Sequence, residues 1–200
     1  MVALSLLAAV VALPAVIASP TIRLRQNGPP GCGNGAPGDF DSAASITLTA
    51  LNTTLPNSND NGAPLVASEI EIFGAESSWV LTTQASASLR LTVSDFTLQT
   101  GALLPVSSNG QEFADSAVEP GDGIGFQRFP GNAPSGSLSE IYCGIVNTGL
   151  AGGNSSQPLL SIQGNSSNFA LCESDGLNVV VFQPEDSDGC YPVEILIFEH

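Results

Sequence analysis

Apolar and polar residues alternate with a period of two in several short runs of this chain, and that rhythm admits few folds. From Ser45 onward, short runs rich in Val, Ile, Leu, Thr and Phe are separated by Gly, Pro, Asn and Ser. In EIEIF, Ile70 and Ile72 fall on one side of an extended chain and Glu69 and Glu71 on the other. In SLRLTV, Leu89, Leu91 and Val93 alternate with Arg90 and Thr92. Successive side chains of a strand point to opposite faces, so this pattern predicts half-buried antiparallel strands. The expected strands are Ile46–Leu51, Glu69–Phe73, Trp79–Thr83, Ser88–Val93, Thr97–Gln99, Leu103–Val106, Gly123–Gln127, Ile141–Asn147, Leu159–Gln163, Phe169–Glu173, Asn178–Gln183 and Val193–Phe198. No stretch carries a long 3.6-residue pattern with caps. Short, evenly spaced strands predict an all-β fold, either an antiparallel β-sandwich or a closed β-barrel.

One internal echo bears on the choice. ESSWVLTTQASASLRL aligns with NSSNFALCESDGLNVVV, placing Trp79 over Phe169, Leu81 over Leu171, Leu89 over Val179 and Leu91 over Val181. Each reads as a strand, a polar turn and a returning strand. A duplicated hairpin of this kind would suit a pseudo-symmetric sandwich or a trefoil-like barrel.

Four cysteines, Cys32, Cys143, Cys172 and Cys190, bear on stability and on compartment. No CxxC occurs and the one histidine is His200, so a zinc site and a thiol nucleophile with a nearby base both lack their parts. Two disulfides are expected, with Cys172–Cys190 and Cys32–Cys143 favoured among the three possible connectivities. Between the last two cysteines, Asp186, Asp188 and Gly189 echo part of a calcium loop. The remaining ligands and a distal Glu are missing, so a solvated hairpin tip is the better reading. No metal and no cofactor is expected.

The first segment, MVALSLLAAVVALPAVIASP, is apolar and uncharged and ends in small residues, with Val16 and Ala18 suited to a signal-peptidase site. It reads as a secretory signal over 1–18, broken by Pro14 and short for a bilayer span. Residues 19–44 read as a Gly/Pro-rich leader pinned by Cys32, and 45–200 as a single β domain. Four Arg face nineteen acidic residues, there is no Lys, and the formal net charge is −15. Phosphate and anionic lipid both call for a basic surface, so nucleic acid is not an expected partner, nor is a membrane once the signal is cleaved.

The sequence singles out no catalytic constellation. His200 is terminal and GxSxG is absent, which removes a Ser-His-Asp arrangement. PGDGIGF carries Gly121, Gly123 and Gly125 but neither the Lys nor the following helix of a phosphate loop. Paired carboxylates of the glycosidase type would have to come from Glu69, Glu71, Asp95, Glu112, Asp115, Glu119 or Asp122, and nothing in the sequence selects two of them. Aromatic stacking on carbohydrate has three candidates, Trp79, Tyr142 and Tyr191; Trp79 shares a strand face with Leu81 and reads more readily as core. Sequons for N-glycosylation occur at Asn52, Asn154 and Asn165, all in or beside expected turns.

The stretch TLQTGALLPVSSNGQEFADSAVEPGD, Thr97 to Asp122, carries a Gly-Ala-Leu turn, a short strand and a Pro-Gly turn. Near the end, a strand leads into a cysteine (Phe169 to Cys172), a Val-rich strand follows (Val179 to Phe182), and a last cysteine opens a closing strand (Cys190 to Phe198). In this order of elements, residues 45–198 resemble small secreted fungal cell-surface proteins, the phialide-type cell-wall proteins (PhiA) and the related IgE-binding proteins, or a sister family of them. The resemblance implies a secreted or wall-associated glycoprotein without catalysis. The expected function is therefore structural or interactive at a fungal cell surface, with wall polysaccharide or surface proteins as partners. The alternatives are a carbohydrate-binding module or lectin, and a secreted hydrolase using paired carboxylates.

Overall fold

A computed structural model describes residues 32, 35–54, 56, 57, 59–70, 78–131, 136–148, 157–185 and 188–200. The expected signal segment, most of the leader, Glu71–Phe73, the Asn154 sequon and Asp186 lie outside the described residues. Those described are all β, as the alternation predicts. The strands are β1 (Ala43–Asn52), β2 (Ala63–Ile70), β3 (Ser78–Thr83), β4 (Thr92–Val93), β5 (Phe96–Gln99), β6 (Ala102–Pro105), β7 (Glu112–Asp115), β8 (Gly125–Phe129), β9 (Tyr142–Ile145), β10 (Leu159–Ile162), β11 (Phe169–Ser174), β12 (Leu177–Phe182) and β13 (Cys190–Glu199).

Six of these strands close a barrel. The antiparallel order β1-β2-β3-β12-β11-β13 returns to β1 through a ladder running from Ile46↔Glu199 to Asn52↔Val193. Closure removes the exposed edges that an open sheet of apolar strands would offer to other chains. Inward residues recur at every second position: Ile46, Leu48 and Ala50 on β1, Leu65 and Ala67 on β2, Phe169 and Leu171 on β11, and Val193, Ile195 and Ile197 on β13. A barrel this narrow is filled by its own side chains.

β1 and β13 are longer than the barrel needs, and their surplus carries the remaining strands. The start of β1 pairs with β5, which forms a hairpin with β6; the far half of β13 pairs with β10, which continues to β9. β7 and β8 pair with each other and attach to β3 through Trp79↔Phe126. The side chains of this outer group, Phe96, Leu98, Leu103, Phe113, Ile124, Phe126, Tyr142 and Leu160, belong to the same apolar cluster as the barrel interior. Trp79 packs edge-on against Phe113 with ring centroids 5.2 Å apart.

Local chemistry fixes the hairpins. Thr100-Gly101 between β5 and β6, and Asp175-Gly176 between β11 and β12, each have positive φ at both positions. That is the two-residue turn whose twist matches antiparallel strands, and Gly in second place removes the Cβ penalty.

Both disulfides have the expected partners. Cys172–Cys190 joins directly paired residues of β11 and β13, and Cys32–Cys143 ties the segment before the barrel to β9. Beside Cys143, Phe40 and Gly144 exchange backbone hydrogen bonds of 2.9 and 2.7 Å. The Phe40 ring lies where a Cβ of residue 144 would stand, so only glycine fits.

Three strand expectations need correction. The strand expected at Glu69–Phe73 starts earlier, at Ala63, and runs through Ile70. SLRLTV is mostly not a strand: only Thr92–Val93 pairs, while Leu89 is 99% and Leu91 65% exposed. The reason is a compact turn, in which Ala87 N–H donates to Thr83 O and Arg90 N–H to Ala87 O. That turn buries Ala87 against Val66, Leu177 and Val179 on the outside of the barrel and throws Leu89 into solvent. The internal echo fails with it. β3 pairs with β2, β8 and β12 rather than with a returning strand of its own, so the β11–β12 hairpin has no structural twin at residues 79–91. Finally, β7 was not expected; EFAD has one large apolar residue and shows no alternation.

Candidate binding cleft at Tyr191

The three aromatic candidates end in different places. Stacking on a sugar requires an accessible ring face, yet Trp79 is 3% and Tyr142 0% exposed, both inside the apolar cluster. Neither is a platform, because the alternation that puts Leu81 and Leu160 inside puts them there too. The Trp79 Nε1 and Tyr142 hydroxyl are buried without a hydrogen-bond partner, and burial raises the Tyr142 pKa, with the Asp115 carboxylate adding to the effect. Tyr191 is different. The register sets it opposite Leu171 and sets Pro192 opposite Ala170, so Tyr191 leans half-buried on the core while Pro192 points outward and is exposed.

Tyr191 lines a cleft of about 380 Å³ formed where β11 begins, β12 ends and β13 begins. Its walls are Ser167, Asn168, Phe169 and Ala170 on one side, Gln183 and Pro184 on a second, and Cys190, Tyr191 and Pro192 on the third. The Cys172–Cys190 bond fixes the β13 wall to β11. Gln183 has φ +47° and donates its N–H to Asn168 O at 2.7 Å, which holds the second wall against the first. Among the described residues no side chain lining the cleft is charged, in a chain with a net charge of −15. Rings, amides and two hydroxyls without ions suit a neutral, hydroxyl-rich ligand and disfavour an ionic one.

The carboxylates proposed for glycosidase chemistry are scattered. Asp95, Glu112, Glu119 and Asp122 are exposed, and Glu119 and Asp122 belong to one turn, where Glu119 N–H donates to Asp122 Oδ2 at 2.9 Å. Asp115 alone of the described set is buried, at 3% exposed. Its two oxygens accept the N–H of Ser139 at 2.8 Å and of Leu103 at 3.3 Å. Burial, partly offset by these bonds and aided slightly by neighbouring Glu140, pushes its pKa up to about 6. The carboxylate is thus a strut joining β7, β6 and the loop before β9. Glu69 shares an open cleft of about 540 Å³ with Asp175, which sequence reasoning did not single out. Arg90 stands between them and donates to the backbone oxygens of both, Glu69 O at 3.4 Å and Asp175 O at 3.3 Å, pinning the 84–91 turn to two hairpins. Among the described residues no His, Cys, Asp and Glu gather as a metal site.

Two sequons are described. Asn52 ends β1, and its Oδ1 accepts the N–H and hydroxyl of Thr54 at 2.8 and 3.1 Å. Asn165 follows β10, and its Oδ1 accepts the N–H and hydroxyl of Ser167 at 3.2 and 3.4 Å. Each acceptor amide is thereby held by its own sequon hydroxyl. Comparison with known protein families, with curated proteins and with solved structures gives no match for this chain.

Proposed function

We propose that the protein is an exported, glycosylated, non-catalytic component of a fungal cell surface, with a structural or interactive role at the wall. The observation that carries this reading is the pair of disulfides, which lock β13 to β11 and residue 32 to β9 in a barrel whose chain is already long enough to bury a core. Such bonds persist in an oxidising compartment. Two sequon turns on the surface and the resemblance of the order of elements to that of phialide-type proteins support the same reading. The roles found for Asp115 and Arg90 are architectural, which favours a non-catalytic protein over a hydrolase.

The test is fractionation of fungal cells expressing the full chain with an epitope tag. The account expects the protein in the medium or released from washed walls, with mass lost on deglycosylation. Recovery in the cytosol with no glycan would overturn it. The lectin reading has one observation in its favour, the uncharged cleft at Tyr191.

A further inference from the structure

We propose that the N-linked glycan of Asn165 lies in the Tyr191 cleft, with its first sugars packed on Tyr191, Pro184 and Pro192 and hydrogen-bonded by Asn168 and Gln183. The inference rests on the reading of the chain as an exported glycoprotein and assigns the cleft an occupant. Attachment forms a bond between Asn165 Nδ2 and the anomeric carbon of a lipid-diphosphate-linked oligosaccharide. The amide gives up one proton, and the lipid diphosphate departs.

Three features of the site converge. First, Ser167 both clamps the acceptor and lines the cleft. Its N–H and hydroxyl hold Asn165 Oδ1 at 3.2 and 3.4 Å, and the same residue forms the cleft wall. The clamp engages the oxygen and leaves Nδ2 for the sugar, so a glycan starts at the rim. Second, the lining is uncharged among the described residues although the chain carries −15, which matches the neutral sugars nearest the attachment point. Third, the ring surfaces of a tyrosine and two prolines suit the C–H faces of a pyranose, and the Asn168 and Gln183 amides offer donors and acceptors to its hydroxyls. The Asn52 sequon contributes no residue to this cleft, although its Thr53 donates N–H and hydroxyl to Pro192 O at 3.2 and 3.3 Å, so it serves as a comparison only for changes on the Asn168 wall.

The experiment uses the full chain secreted from a eukaryotic host. Enzymatic release of N-glycans is followed site by site by mass spectrometry, under native conditions and after denaturation. The expected result is that native release at Asn165 is slower than denatured release by about fivefold or more, the factor that ~1 kcal/mol of packing gives. Tyr191→Ala and Asn168→Ala should each restore fast release at Asn165, and Asn168→Ala should leave Asn52 unchanged. Asn168→Ala keeps the backbone bond from Gln183 and serves if Tyr191→Ala is not secreted. Release at Asn165 that is the same in wild type and in the secreted variants overturns the proposal. So does an unmodified Asn165 when another sequon carries glycan. So does chitotriose binding to the glycosylated protein that is unaffected by Asn165→Gln, because the cleft would then be open. A chain with no glycan at any sequon would overturn the proposed function as well.

Discussion

Asp115→Asn isolates the energetic consequence of the one buried carboxylate among the described residues. The group has a folded pKa of about 6 against an ordinary value of 3.8, so the folded chain binds its proton more tightly than the unfolded chain does. Stability therefore rises as pH falls through 6, and the gain is complete below 3.8. The interval corresponds to about 3 kcal/mol between pH 7 and pH 3.5, at about 1.4 kcal/mol per pH unit. For a chain of this size that is a melting temperature higher by about 6–12 °C at the acid end. Asparagine removes the buried charge but has one acceptor oxygen, so it keeps the shorter bond from Ser139 and orphans the Leu103 N–H, at a cost of about 1–3 kcal/mol. At pH 7 the two effects nearly cancel. At pH 4 only the cost remains, and the variant is the less stable. Urea unfolding of both proteins between pH 4 and pH 7 measures this, and the pH-dependent part should shrink by about 2.5 kcal/mol in the variant. Burial also raises the pKa of Glu194 on β13, so a smaller slope of the same sign should remain. A variant that keeps the whole wild-type slope, or a wild type that loses stability on acidification from pH 7 to pH 4.5, would refute the reasoning.

Other perturbations read other parts of the structure. In the chain-entropy description, removing Cys172–Cys190, with a sequence separation of 18, costs about 3 kcal/mol, and removing Cys32–Cys143, with a separation of 111, about 5 kcal/mol; denaturant titration of the paired Ser variants should rank them in that order. Gly144→Ala forces the Phe40 ring off β9 and should destabilise by about 1–3 kcal/mol, with Phe40→Ala relieving part of the clash in the double variant. Leu89→Ser should change stability by less than about 0.5 kcal/mol, because the side chain touches solvent and belongs to no returning strand.

Local chemistry made the strands legible, and non-local pairing made the architecture illegible. Asp175-Gly176 between two apolar runs announces the β11–β12 hairpin, and LNVVVF announces its second arm. The choice between sandwich and barrel depends on residues 46–52 meeting residues 193–199, a pairing that no local pattern encodes. Leu89 and Leu91 have the spacing of a strand, but hydrogen bonds of the 83–90 turn override it and bury Ala87 instead. Asp115 looks in sequence like the other acids of its stretch. Its burial follows from Leu103 and Ser139, which only the fold brings to it. Tyr142 and Tyr191 both neighbour a cysteine, and the sequence treats them alike. Tyr142 is sealed inside with Phe96 and Leu160, whereas Tyr191 stands where β13 begins, half-buried and lining the cleft. The Asn165 turn was visible as a sequon, but its place beside Tyr191 depends on β11 and β13 running side by side.

Peptide mapping of the secreted protein without reduction is the most direct test of the sulfur-stapled barrel. The account predicts two linked peptide pairs, Cys32 with Cys143 and Cys172 with Cys190, and no free thiol. Cys172 found joined to Cys32 or Cys143, or four reactive thiols in the folded protein, would contradict the pairing of β11 with β13 on which the rest is built.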